Sequence, residues 1–147
     1  RFLIAVNNIA MDLERIGDYA KGVARITLRL PEGVVVRAYI DTPRMTIQAR
    51  SMLQRVMEAF AAQDAEKARA ICTEDDLIDN LYQQTLRILL SYMMEDPHVV
   101  TTCTYLVWAA HNIERIGDRV TNIAEQVVFM STGEIEDLNP RGQGPRE

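Results

Sequence analysis

The 147-residue chain is short of the residues that mark most non-helical folds. Its two cysteines, Cys72 and Cys103, are too few for a disulfide framework, and each sits among apolar or small neighbours, as buried free thiols do. Only 6% of residues are aromatic while seven are methionine, which suits helix packing better than a sheet sandwich. No apolar run approaches the ~20 residues of a membrane span, and no basic, apolar, small-residue leader opens the chain. Sixteen basic against 21 acidic residues leave a formal charge of −5, which argues against nucleic acid as the main partner because phosphate binding needs a basic surface. Nucleophile elbow, phosphate loop, zinc cysteine pair and dinucleotide glycine pattern are all missing, so nothing points to covalent catalysis.

What is present is helical periodicity. Val6, Ile9, Leu13, Ile16, Ala20, Val23, Thr27 and Leu30 recur at steps of three and four, the seam of a bundled helix, before Pro31 and Gly33 stop it. A linker is expected over 31–43, in which Val34, Val35 and Val36 allow one short extended run without a partner strand. The next helix is predicted from Thr42-Pro43 to about Gln63, with a short separate turn over 64–72. A third follows Thr73, its first turn rich in Glu74, Asp75 and Asp76 where the helix dipole favours negative charge. A fourth opens at Asp96-Pro97, and Ser131-Thr132-Gly133 ends it. The expected layout is all-α: a lone helix over 1–30, the linker, a three-helix bundle over 44–133, and a disordered tail over 134–147.

The lone helix and the last helix share a motif. Glu14-Arg-Ile-Gly-Asp18 recurs as Glu114-Arg-Ile-Gly-Asp118, and seven of sixteen residues are identical between 9–24 and 109–124. The simplest source is duplication of a three-helix unit, with the first two helices of the first copy absent. The chain begins at Arg1 inside a helical pattern, which reads as a truncated segment. The exposed seam of its first helix then calls for residues outside the chain, a place as a fourth helix, or a second copy.

Glu14 and Asp18 stand one turn apart on one face, as do Glu114 and Asp118, with Asn122 a further turn on; the first copy has Gly22 there. Like charges at this spacing cost a helix ~0.2–0.5 kcal/mol per pair, a cost that a cation would offset. Asp75 and Asp79 repeat the spacing on the third helix. If that helix packs on the fourth, Asp75, Asp79, Glu114, Asp118 and Asn122 converge as hard oxygen donors suited to magnesium, calcium, manganese or iron. His111, three residues before Glu114, is either an extra ligand or a hydrogen-bonded bystander. The plainer alternative is surface pairing of the carboxylates with Arg15, Arg115 and Arg119, worth little. Gly17 and Gly117 each cost ~1 kcal/mol inside a helix, which close approach of a neighbouring helix, or of a ligand, would offset. Trp108 and Tyr105 are read as packing at helix boundaries.

The chain resembles the PhoU family. The likeness rests on Leu13-Glu-Arg-Ile-Gly-Asp18 and on Ile113-Glu-Arg-Ile-Gly-Asp-Arg-Val-Thr-Asn-Ile-Ala-Glu125, reinforced by Asp79-Asn-Leu-Tyr82, Met93-Met-Glu-Asp-Pro97 and Thr132-Gly-Glu134. The resemblance implies the second of two similar three-helix bundles plus the last helix of the first. It also implies a cytoplasmic, non-enzymatic and often dimeric regulator that restrains phosphate uptake and the phosphate-starvation response. The implied partners are the phosphate transporter ATPase subunit and a sensor histidine kinase, with the membrane reached only through them. Carried over residue by residue, Glu14, Asp18, Glu114, Asp118 and Asn122, facing Asp75 and Asp79, would bind iron, manganese, magnesium or zinc, often as multinuclear clusters. Arg119 stands where the family often has histidine, which would put a cation beside the second site. Two readings compete with this one: a carboxylate-bridged di-metal oxidase or hydrolase, and a metal-free structural bundle.

Overall fold

The computed structural model describes residues 1–31 and 41–138, and within them every regular element is helical. Helix α1 spans Phe2–Thr27, α2 Asp41–Ala62, α3 Ala65–Cys72, α4 Asp75–Glu95 and α5 Val100–Thr132, with a single 3₁₀ turn at Pro97–Val99 between the last two. Most of the expected linker, including Val34 to Val36, lies outside the described residues. Its end does not: α2 is helical from Asp41, one residue before the expected start at Thr42-Pro43, with a carboxylate favoured in the first turn and Asp41 meeting Arg44 at 3.3 Å.

The breaks between helices have local causes. Gln63 takes a left-handed φ of 54° after α2, and the Asp64 carboxylate then caps α3 by accepting from the Lys67 N–H at 2.9 Å. Asp96 accepts from the His98 N–H in the same way, and Pro97 occupies the first turn that follows. Gly133, at φ 89°, closes α5 with its N–H on the Phe129 carbonyl.

Helix α5 is the hub. Helices α1, α2, α3 and α4 all pack on it, and α2 also meets α3 and α4. The main core is built from Met45, Met52, Val56, Ile71, Ile78, Val120, Ile123 and Val127, all of them closed to solvent. A second cluster of Leu89, Cys103 and Leu106 fills the end near the α4–α5 turn. Both cysteines are buried free thiols. Among the described residues no helix is long and apolar enough to cross a membrane.

The first helix takes the place of a fourth long helix, lying antiparallel along α5. Asn8 meets Gln126 at 3.0 Å, Asp12 meets Arg119 at 3.4 Å, and Gly22 lies against Asn112. These pairings leave Ile16 and Ile116 near the middle of the crossing. The seam differs from the expected register. Ala5, Ile9, Asp12, Ile16 and Ile26 are the buried positions, with Tyr19 and Val23 half-buried, whereas Ala20 and Thr27 face water. An aspartate holds a core position because an arginine on α5 meets it, which an apolar stripe alone does not reveal.

As far as it is described, the tail lies draped against α3 and α5. Residues 134–138 are tied down: Arg69 forks onto Glu136 at 2.9 and 2.5 Å, the Leu138 N–H donates to Glu125 Oε1 at 3.0 Å, and the Leu138 side chain packs on the main core.

Candidate functional site on the central helix

Gly117 sits buried where α4 crosses α5. A Cβ built there would lie 2.6 Å from Asp75 Oδ1 and 3.1 Å from Ile78 Cδ1. The glycine is therefore a notch that lets α4 close on α5, so helix contact accounts for it. Asp75, 2% exposed, lies over this notch, one turn after Glu114 and next to Asp118. Glu114 and Asp118 have side chains only 13% exposed. Their burial removes them from the class of solvated surface pairs, the plainer alternative for such residues.

The neighbours of these carboxylates are mixed. His111 Nδ1 lies 3.4 Å from Glu114 Oε2, and its ring stands 5.8 Å from that of Tyr82. Burial, then the charge of Glu114, pushes the Tyr82 hydroxyl pKa up. Arg115 Nη1 is 3.5 Å from Asp118 Oδ2, and the same guanidinium hydrogen-bonds Tyr19 on α1. Asp79 is half-buried one turn along α4 from Asp75. Among the described residues no three of the His, Cys, Asp and Glu side chains gather as a ready metal-binding group.

Three expected members lie elsewhere. Asn122 lines a cleft of about 210 Å³ on the α1 side of α5, with Asn8, Asp12, Arg15 and Glu125. The cause is helix geometry: each four-residue step overshoots a full turn, so a row begun at Glu114 drifts round the helix by Asn122. Glu14 and Asp18 are exposed on α1, and nothing lies within 4 Å of a Cβ built on Gly17. Arg119 does not stand beside Asp118 as a competing cation; it turns to Asp12 across the α1–α5 interface. Trp108 is half exposed and meets Tyr105 edge-on at 5.7 Å.

Sequence reasoning missed Asp12 and Glu125. Asp12 is 7% exposed and lies within 4 Å of both Arg119 and Arg15. Burial pushes the Glu125 carboxyl pKa up; the Leu138 N–H opposes the shift, and the charges of Asp137 and Asp12 add to it. Beneath α5, Cys72 is held neutral, its thiol pKa pushed up to about 12 by burial and then by the charges of Glu125 and Asp75. A 5-9-12-16 spacing on α1, which admits Asp12, was the available signal.

The PhoU domain model matches residues 42–127, from the start of α2 to the last third of α5. This chain belongs to the PhoU family. It is 39% identical over 134 residues to the phosphate-specific transport system accessory protein PhoU homolog of Pseudomonas aeruginosa, a match that covers 90% of this chain and 55% of that protein. The Zymomonas mobilis protein of the same name is 41% identical over 143 residues, covering 97% and 60%. The crystal structure of PhoU from Pseudomonas aeruginosa superposes with a TM-score of 0.87 at 38% identity, over 91% of this chain and 65% of that one. The phosphate transport system regulatory protein PhoU from Streptococcus pneumoniae gives 0.86 at 31%, over 93% and 65%. The chain thus spans little more than half the length of the curated relatives it matches. Their names describe accessory and regulatory proteins rather than enzymes.

Proposed function

We propose that this chain is the metal-binding, protein-contacting part of a phosphate-transport accessory protein, which acts by restraining uptake when phosphate is plentiful. The observation that carries the transport reading is similarity over nine-tenths of the chain to proteins named for that accessory role. Negative regulation, contact with a transporter ATPase subunit and a sensor histidine kinase, self-association and a cytoplasmic location are parts of the same proposal.

The metal reading is supported by the notch. Asp75 meets α5 at Gly117, in reach of the turn that carries Glu114 and Asp118, and all three are largely closed to solvent. Carboxylate oxygens are the donors that a hard divalent cation of the magnesium, manganese or iron type takes, and the side chains would have to close up to gather round one. Bound there, a cation would supply charge neutralisation for crowded carboxylates and stiffen the α4–α5 contact. The exposed Glu14 and Asp18 are weaker candidates on this chain. His111 beside Glu114 and Arg115 beside Asp118 favour the metal-free bundle as the second reading, since each carboxylate already has a polar neighbour.

Elemental analysis of the purified chain, repeated on a Glu114→Ala, Asp118→Ala double variant, separates the two. Loss of bound metal in the variant supports the site, while unchanged metal content moves it elsewhere and absence of metal from both favours the structural bundle. Retention of the chain on an immobilised phosphate-transporter ATPase subunit tests the adaptor role; no retention at micromolar protein would count against it.

A further inference from the structure

Residues 134–138 run back from the Gly133 turn and close over the groove between α3 and α5. Three contacts hold them, and each uses different chemistry. Arg69 on α3 takes the Glu136 carboxylate as a two-armed fork, Glu125 on α5 accepts the Leu138 N–H, and the Leu138 side chain packs against the core. Fork recognition of a carboxylate is specific to arginine. The segment also forms one wall of a cleft of about 190 Å³, lined by Ile4, Asn8, Phe129 and Ile135 among others.

The fastening is reversible by construction. Arg69 also pairs with the exposed Glu66 one turn back, so its guanidinium keeps a partner when Glu136 leaves. Glu136 returns to water with its charge hydrated, and Ile135, 90% exposed, grips nothing. Asp137 works against closure, because its charge adds to that of Asp12 around the half-buried Glu125. Leu138 is the one apolar anchor of the segment. The groups around Glu125 include Asp12, Arg15 and the amide Asn8 on α1, Asn122 and Gln126 on its own helix, Cys72 from α3, and Glu136, Asp137 and Leu138 from the segment itself.

We propose that residues 134–138 are a detachable latch, which the α3–α5 groove recognises by an acid followed two residues later by leucine: Glu136 on Arg69 and Leu138 against the core. Docked, the latch joins the end of α5 to α3. Released, it uncovers an apolar seat flanked by the Arg69 guanidinium, which keeps Glu66, and a carboxylate that takes a backbone N–H.

Hydrogen exchange on the full chain tests this directly. In Glu136→Lys, a change in the latch alone, the Leu138 amide should exchange about tenfold faster while Val120 to Val127 keep their protection, as expected for loss of a charge-assisted contact and local opening. Arg69→Ala should do the same from the other side. Equal loosening of the latch and of α5 would make the segment an inseparable part of the core, and no change in either variant would remove Arg69 from its recognition. A second arm uses a labelled peptide of residues 133–138 and a Leu138→Asp chain, whose own latch cannot dock. Binding to Leu138→Asp at least tenfold tighter than to the unaltered chain, lost when the peptide carries lysine for Glu136, supports the groove as the seat. Equal binding to both chains, or none to either, overturns it.

Discussion

The same five residues, Glu-Arg-Ile-Gly-Asp, stand in two settings. On α5 they are overlaid by α4: Asp75 presses on Gly117, and Glu114 and Asp118 are nearly closed to water. On α1 the matching positions are open, with nothing over Gly17 and with Glu14 and Asp18 exposed. A motif fixes which groups line a helix face; the helix packed over that face fixes their electrostatics. Among the described residues no α4-like helix lies over that face of α1.

The glycines break the comparison most sharply. Gly117→Ala should destabilise the chain by about 1–3 kcal/mol, the usual cost of overpacking, since the added methyl must displace the Asp75 carboxylate or Ile78. Gly17→Ala should stabilise it by up to ~1 kcal/mol through helix propensity alone. Urea denaturation of both variants reads the difference, and equal effects would mean that the two faces are equivalent after all.

The next test concerns the acid that joins the copies. Asp12→Ala leaves the Arg119 guanidinium, 17% exposed, facing an interface without its carboxylate, at a cost of about 1–3 kcal/mol. Glu14→Ala, one half-turn away on the exposed side, should change stability by less than about 0.5 kcal/mol. Thermal melts of the pair show whether the two helices are joined through the seam or through the motif.

The smallest effect belongs to Glu125. Burial chiefly, and then Asp137 and Asp12, hold its carboxyl above the ordinary value of 4.5, against the pull of the Leu138 N–H. An acid with a raised folded pKa subtracts from stability above that raised value; the penalty fades as the pH falls from there to 4.5 and is gone below it, where the group is protonated folded or unfolded. Glu125→Gln should therefore raise Tm modestly at pH 7 and lose that advantage in acid. A constant offset across the pH range would show that the carboxyl is not the strained group.

How much of this was legible follows from the kind of signal each feature leaves. Long amphipathic stretches, the break at 64–72 and the buried cysteines are written in periodicity and local composition. The notch at Gly117 was legible as a costly residue in a helix, although the oxygen above it was not. The register of α1 was misread by one position at alternate steps, because an apolar count has no way to admit Asp12 until Arg119 is opposite it. Arg119 itself looked like a neighbour of Asp118 in the chain and proved to be a neighbour of Asp12 in space. Asn122 was lost to the drift of the helix, and residues 134–138 to a single leucine among polar residues. Each of these depends on a contact outside its own stretch of chain or on accumulated rotation, which local patterns do not carry.

One helix, α5, is the post on which everything else leans, while α1 is held chiefly along one side of that post. A leaf hung on a single edge can swing without the frame giving way. Peeling α1 costs one seam, whereas any shift of the post must be felt by four neighbours together. Disturbances of this fold are therefore divided by construction between a local opening at one flank and an all-or-none response of the whole.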